Sequence, residues 1–345
     1  MAKKRCLMIG GGGMAGGWIH NLTQHFSDRV EAVAVADVSE DTLARQKENL
    51  GLGDDPLYQD FQQAVGAVEA AFLGIAVPPQ YERTDAKEGR GEGGRVEKEK
   101  QSEETGEDAK EKQKEEKETG IPGGKIKKYS YADNKQELVR IREEGRLGRL
   151  QHIVGRYACD YRKDGSWGAA WRHTMDFGLL FEGSVHHFDM LRFLSGGDCE
   201  TLIGFGWNPE WSSFDHFSSG IYAMRMDNGV HAVYEGNSSA AGITNCWNSE
   251  HYRAEFEEGC VEIAGGDTVT VHRAGQDSES YEAPDIQWKA HLHLFDEYLN
   301  WLDGGPPSET RIQDNIKSFA LVIAAMETTT DGQPKNIADY LVDVE

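Results

Sequence analysis

The chain has 345 residues, of which 38% are hydrophobic and 10% aromatic, so it is long enough for two domains with cores of their own. Its 59 acidic and 36 basic residues give a formal net charge of −23, which would repel nucleic-acid phosphates and anionic lipid surfaces. The sequence has no apolar stretch of membrane-spanning length, and the apolar stretch near its N-terminus is too short for a signal peptide. We therefore expect a cytoplasmic protein that binds neither nucleic acid nor membranes.

The first 79 residues alternate short apolar runs with helical spacing. "RCLMIG" predicts a buried strand, a glycine loop follows it, and "WIHNLTQHF" has the spacing of a helix. "EAVAVAD" and "AFLGIAVPP" predict two further core strands, with a helical stretch after the first of them. Strands that alternate with helices in this way are typical of a parallel α/β domain.

Residues 83–120 interrupt this pattern. They include 23 charged residues among 38, and only Ala86, Val96 and Ala109 are clearly apolar. Such a composition cannot bury a face against a sheet, so considered alone it predicts a disordered or solvated segment.

Normal patterning returns near residue 129. Strand-like runs separated by turn residues follow, and most have no helix-length segment between them: "LQHIVGRYACDY", "SGIYAMRMDNGVHAVYEGN", "YRAEFEEGCVEIAG" and "DTVTVHRA". They predict a largely antiparallel sheet in a second domain. Two helical segments, "AHLHLFDEYLNWL" and "DNIKSFALVIAAMETTT", end the chain.

The glycine loop has the spacing of a dinucleotide-binding turn. Gly10 permits the tight turn, Gly12 lets the backbone approach a pyrophosphate, and Ala15 allows the helix to pack closely on the strand. The second strand ends at Asp37, 27 residues after Gly10, where a carboxylate can accept hydrogen bonds from a ribose 2′-hydroxyl. No arginine follows Asp37, which favours NAD over NADP. The alternative is a glycine-rich turn that binds no ligand.

A second informative stretch is "FEGSVHHFDMLRFLSGG", whose apolar positions predict a helix. Glu182, His186 and Asp189 recur at three- and four-residue spacing and can share one side of it. A glutamate and a histidine one turn apart can act as an acid/base pair, with Asp189 orienting the imidazole. A helix-packing network without catalysis is an equally good interpretation of these residues alone.

The cysteines and histidines show no metal-binding pattern. The cysteines lack CxxC or Cys/His ligand spacing, which predicts reduced thiols rather than a disulfide framework, and no metal site. They are Cys6, Cys159, Cys199, Cys246 and Cys260.

Together these motifs resemble the glucose-fructose oxidoreductase/inositol dehydrogenase (Gfo/Idh/MocA) family. The resemblance rests on "MIGGGGMAGGWIHNL", "VADVSEDTLARQKE", "IAVPPQY", "EEGRLGRL", "EGSVHHFDMLRFL" and "HLHLFDEYLNWLDGG". It covers nearly the whole chain apart from residues 83 to about 128. It implies a Rossmann NAD-binding domain over 1–128 and, over 129–345, an α+β domain with an open, mostly antiparallel sheet. That second domain would bind substrate and form a homodimer or homotetramer.

The resemblance also implies catalytic residues. The family's D-x-G-x-H-x-x-D motif falls on Glu182, Ser184, His186 and Asp189, which makes His186 the proton-transfer residue and Glu182 its catalytic neighbour. His187 lies on a different side of the helix and is interpreted as structural.

The family's Glu-Lys-Pro motif is the poorest match. Glu99 and Lys100 keep the position of the Glu-Lys pair, but Gln101 replaces the proline and the apolar helix before it is lost. The spacing is preserved, because Gly93 and Val96 fall where the family has glycine and valine. Two origins stay open: a stretch read in the wrong frame and later restored, or true divergence. Equally open is whether Lys100 is functional or a chance match in a lysine-rich run.

The motifs and the family resemblance together predict an NAD(P)-dependent oxidoreductase that moves a hydride between nicotinamide and a CH–OH group of a sugar, polyol or inositol-like substrate. The alternative is a non-catalytic dinucleotide- or sugar-binding protein derived from this family. The predicted catalytic residues are Lys100, Glu182 and His186, and the predicted substrate contacts are Arg172, His173 and Asp189. The predicted cofactor contacts are Gly10, Gly12, Gly13, Met14, Ala15, Asp37, Val77, Pro78 and Glu99.

Overall fold

The computed structural model describes residues 2–53, 56–76, 96–98, 123–125, 131–168, 170–242 and 244–341. The chain divides into two compact units. The first unit is Met1–Lys128 with Ala290–Asn315, and the second is Tyr129–Lys289 with Ile316–Asp343. Residues 290–315, which the sequence analysis assigns to the second domain, thus belong to the first unit.

The described part of the chain contains helices and strands in both units. The helices are α1 Gly13–His25, α2 Glu40–Leu50, α3 Phe61–Ala67, α4 Asp133–Glu143, α5 Trp171–Thr174, α6 Val185–Ser195, α7 His291–Leu302 and α8 Ile312–Asp331. A π-helical turn, Leu179–Ser184, precedes α6, and a 3-10 turn, Ile337–Tyr340, follows α8. The strands are β1 Lys4–Ile9, β2 Val30–Ala36, β3 Leu57–Tyr58, β4 Phe72–Ile75, β5 Val96–Lys98, β6 Gly123–Lys125, β7 Leu150–Ala158, β8 Cys199–Trp207, β9 Ser219–Met226, β10 His231–Asn237, β11 His251–Phe256, β12 Gly259–Ala264, β13 Thr268–Arg273, β14 Glu279–Glu282 and β15 Lys335–Asn336.

The first unit contains a parallel sheet of order β3-β2-β1-β4-β5-β6. This is the strand order of a Rossmann domain, and it confirms the predicted fold class. The sheet is apolar because helices cover parallel strands on both faces: the last four residues of β1 are 0–2% exposed. On α1, Trp18 is buried and meets Phe295 of α7 edge-on, with ring centroids 5.5 Å apart.

The second unit contains a sheet of order β14-β13-β12-β11-β7-β10-β9-β8-β15. Its neighbours pair antiparallel except β7 and β10, which are parallel, so the predicted mostly antiparallel sheet is confirmed. Residues alternate between a buried and an exposed face, as the period of a strand requires. The buried face includes three fully covered tyrosines, Tyr222, Tyr234 and Tyr252.

The histidine stretch is helical as predicted, but its first part is not an α-helix. Leu179–Ser184 forms the π-helical turn, and the α-helix α6 begins at Val185. Single π-helical turns are uncommon and often occur at functional sites. Gly196, in the left-handed conformation with φ +72°, ends α6.

The predicted state of the cysteines is wrong for two of them. Cys159 and Cys246, 87 residues apart, form a disulfide, whereas Cys6, Cys199 and Cys260 are not disulfide-bonded. The sequence spacing of the two cysteines did not predict this disulfide, because the two sulfurs meet only when the sheet has folded. Among the described residues, none of the helices has the length and apolar character needed to cross a membrane.

Candidate functional site

The glycine loop turns sharply between β1 and α1. Gly10 has φ +91° and donates its N–H to the carbonyl of Ala36 at 2.7 Å, which ties the loop to the end of β2. Gly13 has φ +42°, a conformation that residues with side chains rarely adopt. The Gln46 side-chain amide donates to the Gly11 carbonyl at 2.6 Å. The loop is therefore held by hydrogen bonds from β2 and α2.

The two faces of this loop differ in the space beside them. A Cβ at Gly11 would meet Thr42 Cγ2 at 3.0 Å and Val35 Cγ1 at 3.2 Å, whereas one at Gly12 would meet only Thr42 Oγ1 at 3.9 Å. Gly12 is also the N-cap of α1 and, having no side chain, makes no side-chain cap hydrogen bond to the first turn of that helix. A helix start with a glycine N-cap and an open approach suits a phosphate group, which can accept hydrogen bonds from the backbone N–H groups of the first turn. Ala15 is fully buried, as close helix–strand packing requires.

Asp37 lies at the end of β2 beside the loop. Its Oδ2 accepts the Gly11 N–H at 2.8 Å and its Oδ1 accepts the Ser39 N–H at 2.9 Å. Each carboxylate oxygen keeps acceptor capacity for a further hydroxyl. The geometry therefore fits a dinucleotide, with Gly10–Gly13 against the pyrophosphate and Asp37 against the adenosine ribose. Met14, in the first turn of α1, is 37% exposed.

Part of the charged segment joins the parallel sheet. β5 pairs with β4 so that Leu73 is opposite Val96 and Ile75 is opposite Lys98. Because the strands are parallel, β5 ends on the edge where β1 and β4 end, which is the edge that carries the glycine loop. Lys100 follows two residues after this strand in the sequence. The predicted residues Lys100, Glu99, Val77 and Pro78 themselves lie outside the described residues.

In the second unit, the two adjacent histidines of α6 have different surroundings. His186 is half-buried, and Trp247 meets it edge-on with ring centroids 5.9 Å apart. His187 is 2% exposed and packs against the ring of Tyr157 at 4.4 Å. The half-buried histidine is thus the one predicted to move a proton, and the buried one is the one predicted to be structural.

His187 belongs to a buried polar network. Its Nδ1 lies 3.0 Å from the Tyr234 hydroxyl, and Ser184 Oγ donates to that hydroxyl at 3.0 Å. Its Nε2 faces Glu250 Oε1 at 3.7 Å, and Lys135 Nζ donates to the other oxygen of Glu250 at 3.2 Å. Because an ionised carboxylate only accepts, the favoured tautomer of His187 carries its proton on Nε2 and accepts from Tyr234 at Nδ1.

The charges in this network match that assignment. Burial lowers the pKa of His187 below its ordinary value, although Glu250 opposes the shift, so the imidazole is neutral at pH 7. Burial alone would raise the pKa of Glu250, but the neighbouring His187 and Lys135 lower it to about 2. Burial also raises the pKa of Tyr234, which keeps its hydroxyl protonated.

Glu182, predicted as catalytic, is buried and paired with a guanidinium. Its Oε2 accepts from Arg172 Nε at 2.9 Å, and the same arginine lies 4.7 Å above the Trp171 ring. Arg172 also donates to the Trp167 carbonyl at 3.1 Å. The pair places an oriented guanidinium next to the helix that carries His186.

The other two predicted substrate contacts are well anchored. His173 is 2% exposed, stacks on Phe214 with ring centroids 4.3 Å apart, and shares a 2.8 Å hydrogen bond between Nδ1 and Ser213 Oγ. Burial lowers the pKa of His173 below its ordinary value. Asp189 accepts from Ser318 Oγ at 2.7 Å and from Arg192 Nη1 at 3.2 Å, which fastens α6 to α8.

Three residues that surround the histidines were not predicted from the sequence: Tyr234, Trp247 and Glu250. Glu250 lies 63 residues after His187 in the sequence, and it precedes β11 in a loop without a recognisable motif. No spacing signal could have found it, because only the folded sheet brings β10 and this loop to α6. Within the described residues, no cluster of three or more His, Cys, Asp or Glu side chains is arranged to hold a metal ion.

Comparison with known proteins finds a family that is similar to part of the second unit. Residues 136–262 match the GFO/IDH/MocA C-terminal domain family. This match confirms the family resemblance that was inferred from the sequence motifs. The matched region contains the π-helical turn, α6 and Glu250.

Other similar proteins span nearly the whole chain. The uncharacterized protein y4oX of Sinorhizobium fredii is 29% identical over 349 residues, which cover 98% of this chain and 96% of that protein. An oxidoreductase from Agrobacterium radiobacter, solved with NAD+, L-tartaric acid and magnesium, superposes with a TM-score of 0.86 at 17% identity and covers 98% of this chain and 99% of its own. The WlbA dehydrogenase from Bordetella pertussis, solved with NADH and UDP-GlcNAcA, has a TM-score of 0.81 at 20% identity over 97% and 99%. At these identities, the two solved structures show that the fold is shared.

Proposed function

We propose that this protein is an NAD-dependent oxidoreductase that acts on a CH–OH group of a sugar, polyol or inositol-like substrate. The observation that carries the proposal is the glycine loop: a helix start with a glycine N-cap, an open face at Gly12 and the carboxylate of Asp37 at the end of β2. These three features together fit a pyrophosphate and a ribose that carries a free 2′-hydroxyl. A 2′-phosphate would meet the negative charge of Asp37, so NAD is favoured over NADP.

The chain's own residues have separate tasks in this proposal. Nicotinamide, when bound, supplies the hydride chemistry. His186 takes the proton from the substrate hydroxyl during oxidation and returns it during reduction. Glu182 holds the Arg172 guanidinium, which then orients hydroxyl or carboxylate oxygens of the substrate beside His186. His173 is buried and neutral, and its second ring nitrogen, Nε2, forms a hydrogen bond with the substrate.

Lys100 is proposed to polarise the substrate oxygen. The topology supports this because β5 ends at Lys98, on the edge of the sheet that carries the glycine loop. A lysine two residues beyond that strand end is in the sequence position of the family's Glu-Lys pair. The substrate class is supported by two structural relatives, one solved with L-tartaric acid and the other with UDP-GlcNAcA. Both of those ligands carry hydroxyl groups.

The alternative function is a dinucleotide- or sugar-binding protein without turnover. It is favoured by one observation, the replacement of the family's proline by Gln101 within a run dominated by lysine and glutamate. In that case the glycine loop would bind NAD while Lys100 and the residues around it would have no catalytic task.

A homo-oligomer is proposed from the exposed face of the second sheet. Four apolar side chains protrude on β8 and β9, with exposed fractions of 37% for Ile203, 67% for Phe205, 41% for Trp207 and 45% for Ile221. Phe205 and Ile221 are directly paired across the two strands, so these side chains form one patch. A contiguous apolar patch of this kind is typical of a protein–protein interface. Phe205→Lys is expected to lower the mass of the particle in light scattering.

The experiment that tests the function combines nicotinamide fluorescence titration with a dehydrogenase assay on sugars, inositols and hydroxy acids. Saturable NADH binding together with turnover of at least one substrate is expected. Binding without any turnover would favour the alternative function, and no binding would contradict both.

Lys100→Ala tests the lysine separately from the glycine loop. Turnover is expected to fall while NAD affinity is retained, and Lys110→Ala and Lys112→Ala, from the same charged run, serve as matched controls. If all three variants keep the parent activity, Lys100 has no catalytic role.

A further inference from the structure

The disulfide between Cys159 and Cys246 lies next to the residues that surround the histidines. Cys159 follows the last residue of β7, and Cys246 lies in the loop of residues 238–250 that connects β10 to β11. That loop returns to β7 at one backbone bridge, where Ala158 and Asn245 exchange hydrogen bonds of 3.2 and 2.8 Å. The disulfide is therefore a covalent second attachment, directly after the bridge on both segments.

Trp247 follows Cys246 and is the side chain of this loop that meets both histidines. Its ring lies edge-on to His186 at 5.9 Å and stacks on His187 at 5.6 Å, and it also packs against Tyr157 at 4.8 Å. An indole placed against an imidazole restricts the rotation of the imidazole and removes water from one side of it. Trp247 thus restricts the orientation of the half-buried His186.

The position of Trp247 depends on the sulfur pair. Trp247 Nε1 donates to the Tyr161 hydroxyl at 3.0 Å, and that hydroxyl lies 3.3 Å from Cys246 Sγ. Tyr161 itself stacks on Trp167 with ring centroids 5.2 Å apart. The Trp247 indole, the Tyr161 phenol and the disulfide therefore form one cluster. Movement of Cys246 away from Cys159 would displace both the backbone next to Trp247 and the contact with the Tyr161 hydroxyl that accepts from its indole.

We propose that Trp247 is a positioning residue for His186 and that the Cys159–Cys246 disulfide holds Trp247 in place, so that turnover falls when the disulfide is reduced. The proposal rests on the proposed function of His186 as the proton-transfer residue. A dithiol reductant supplies two electrons and two protons: the S–S bond breaks, each cysteine sulfur becomes a thiol, and the reductant closes into its own disulfide. The loop then keeps its backbone bridge at Asn245 but loses the covalent attachment beside Trp247.

The first measurement counts thiols and does not depend on activity. Unfolded protein prepared without reductant should show three thiols, those of Cys6, Cys199 and Cys260, and protein treated with dithiothreitol should show five. Five thiols in the untreated protein, purified under air, would overturn the proposal.

The second measurement separates positioning from stability. Reduction, Cys246→Ser and Trp247→Ala are each expected to lower kcat roughly tenfold, since a small displacement of a catalytic group has a large effect on rate. KM and NAD affinity should change little, and Trp247→Phe should restore most of kcat because a second aromatic ring can occupy the site. Cys260→Ser and Trp211→Phe, whose side chains lie elsewhere, are the matched controls. Unchanged kcat after reduction, or an equal loss in the controls, would overturn the proposal.

The third measurement works even if no substrate is found. The imidazole pKa of His186, followed by NMR in histidine-labelled protein, should shift on reduction and in Trp247→Ala, with His186→Gln used to assign the signal. A shift without turnover would leave the positioning role intact and would contradict only the proposed function. The same His186 titration in oxidised, reduced and Trp247→Ala protein would overturn the positioning role.

Discussion

The glycine loop and the histidine helix form their sites in different ways. In the loop, the groups that face a ligand are backbone N–H groups and one carboxylate, and all of them come from residues 10–37. Around the helix, the side chains come from distant parts of the chain: Lys135 and Glu250, for example, are 115 residues apart. A site built from backbone depends on local turn geometry, whereas a site built from side chains depends on how the whole sheet folds. Substitutions in the glycine loop should therefore affect cofactor binding, whereas substitutions around the histidine helix should affect turnover or stability.

In the loop, we expect the largest effect from Gly12→Val. The branched side chain would occupy the open space beside the helix start, where a Cβ now meets only Thr42 Oγ1 at 3.9 Å. Binding of both NADH and NADPH should be lost in fluorescence titration while the fold is retained. Gly17→Val, on an exposed position of α1 with no atom within 4 Å of a Cβ, is the control for loss of helix stability. Normal NADH binding by a folded Gly12→Val protein would show that the loop is not the pyrophosphate site.

In the helix, His186→Ala should reduce turnover without affecting cofactor binding. A positioned acid/base contributes about 10²- to 10⁴-fold to the rate, so kcat should fall by that range while NAD affinity is unchanged. His231→Ala, on an exposed position of β10, is the matched control. A change confined to KM would instead make His186 a substrate-orienting residue.

The buried network should respond in stability as well as in activity. Glu250→Gln removes the carboxylate charge that pairs with the buried Lys135, so the free energy of unfolding should fall by about 3–5 kcal/mol in urea titrations. Replacing both residues, Glu250→Leu with Lys135→Met, should recover most of that loss, since no uncompensated charge is then buried. Equal stability of the single variant and the parent would contradict the role of this pair.

The same network predicts a dependence of stability on pH. The pKa of Glu250 falls from its ordinary value of 4.5 to about 2 on folding, so its contribution is present above pH 4.5 and is lost as the pH falls towards 2. The pKa of His187 is also lowered by burial, so acid favours the unfolded state, where this imidazole can be protonated. Unfolding measured between pH 7 and pH 3 should show declining stability, and the decline should be smaller in the double variant.

The smallest expected effect concerns cofactor choice. Asp37→Ala removes a charged acceptor from the ribose, which is worth about 1.5–3 kcal/mol, so NAD affinity should fall roughly 10- to 150-fold. The affinity for NADP should fall less, because the substitution also removes the negative charge that repels its 2′-phosphate. The ratio of NAD affinity to NADP affinity should therefore decrease. Asp41→Ala, an exposed acid on α2, is the control. Unchanged affinity for both cofactors would remove Asp37 from the site.

Local patterns predicted the first unit well. The parallel sheet, the glycine turn and the position of Asp37 follow from apolar runs, glycine spacing and the end of a strand, each of which is a property of a few neighbouring residues. The structure of the charged segment was harder to predict. Its composition indicates a solvated stretch, yet Val96–Lys98 pairs with β4. Pairing with a neighbouring strand is a tertiary property that composition does not report.

For the second unit, the sequence by itself determined the mostly antiparallel sheet, the histidine helix and, through its motifs, the resemblance to the GFO/IDH/MocA family, whose C-terminal domain model matches residues 136–262. Only the tertiary structure decided that His187 faces Tyr234 and Glu250, that Trp247 packs against His186, and that Cys159 and Cys246 are bonded. The physical reason is the range of the interactions. Periodicity and turn geometry act between residues close in sequence, whereas a buried charge, a ring contact and a disulfide each need partners that meet only after the sheet has formed.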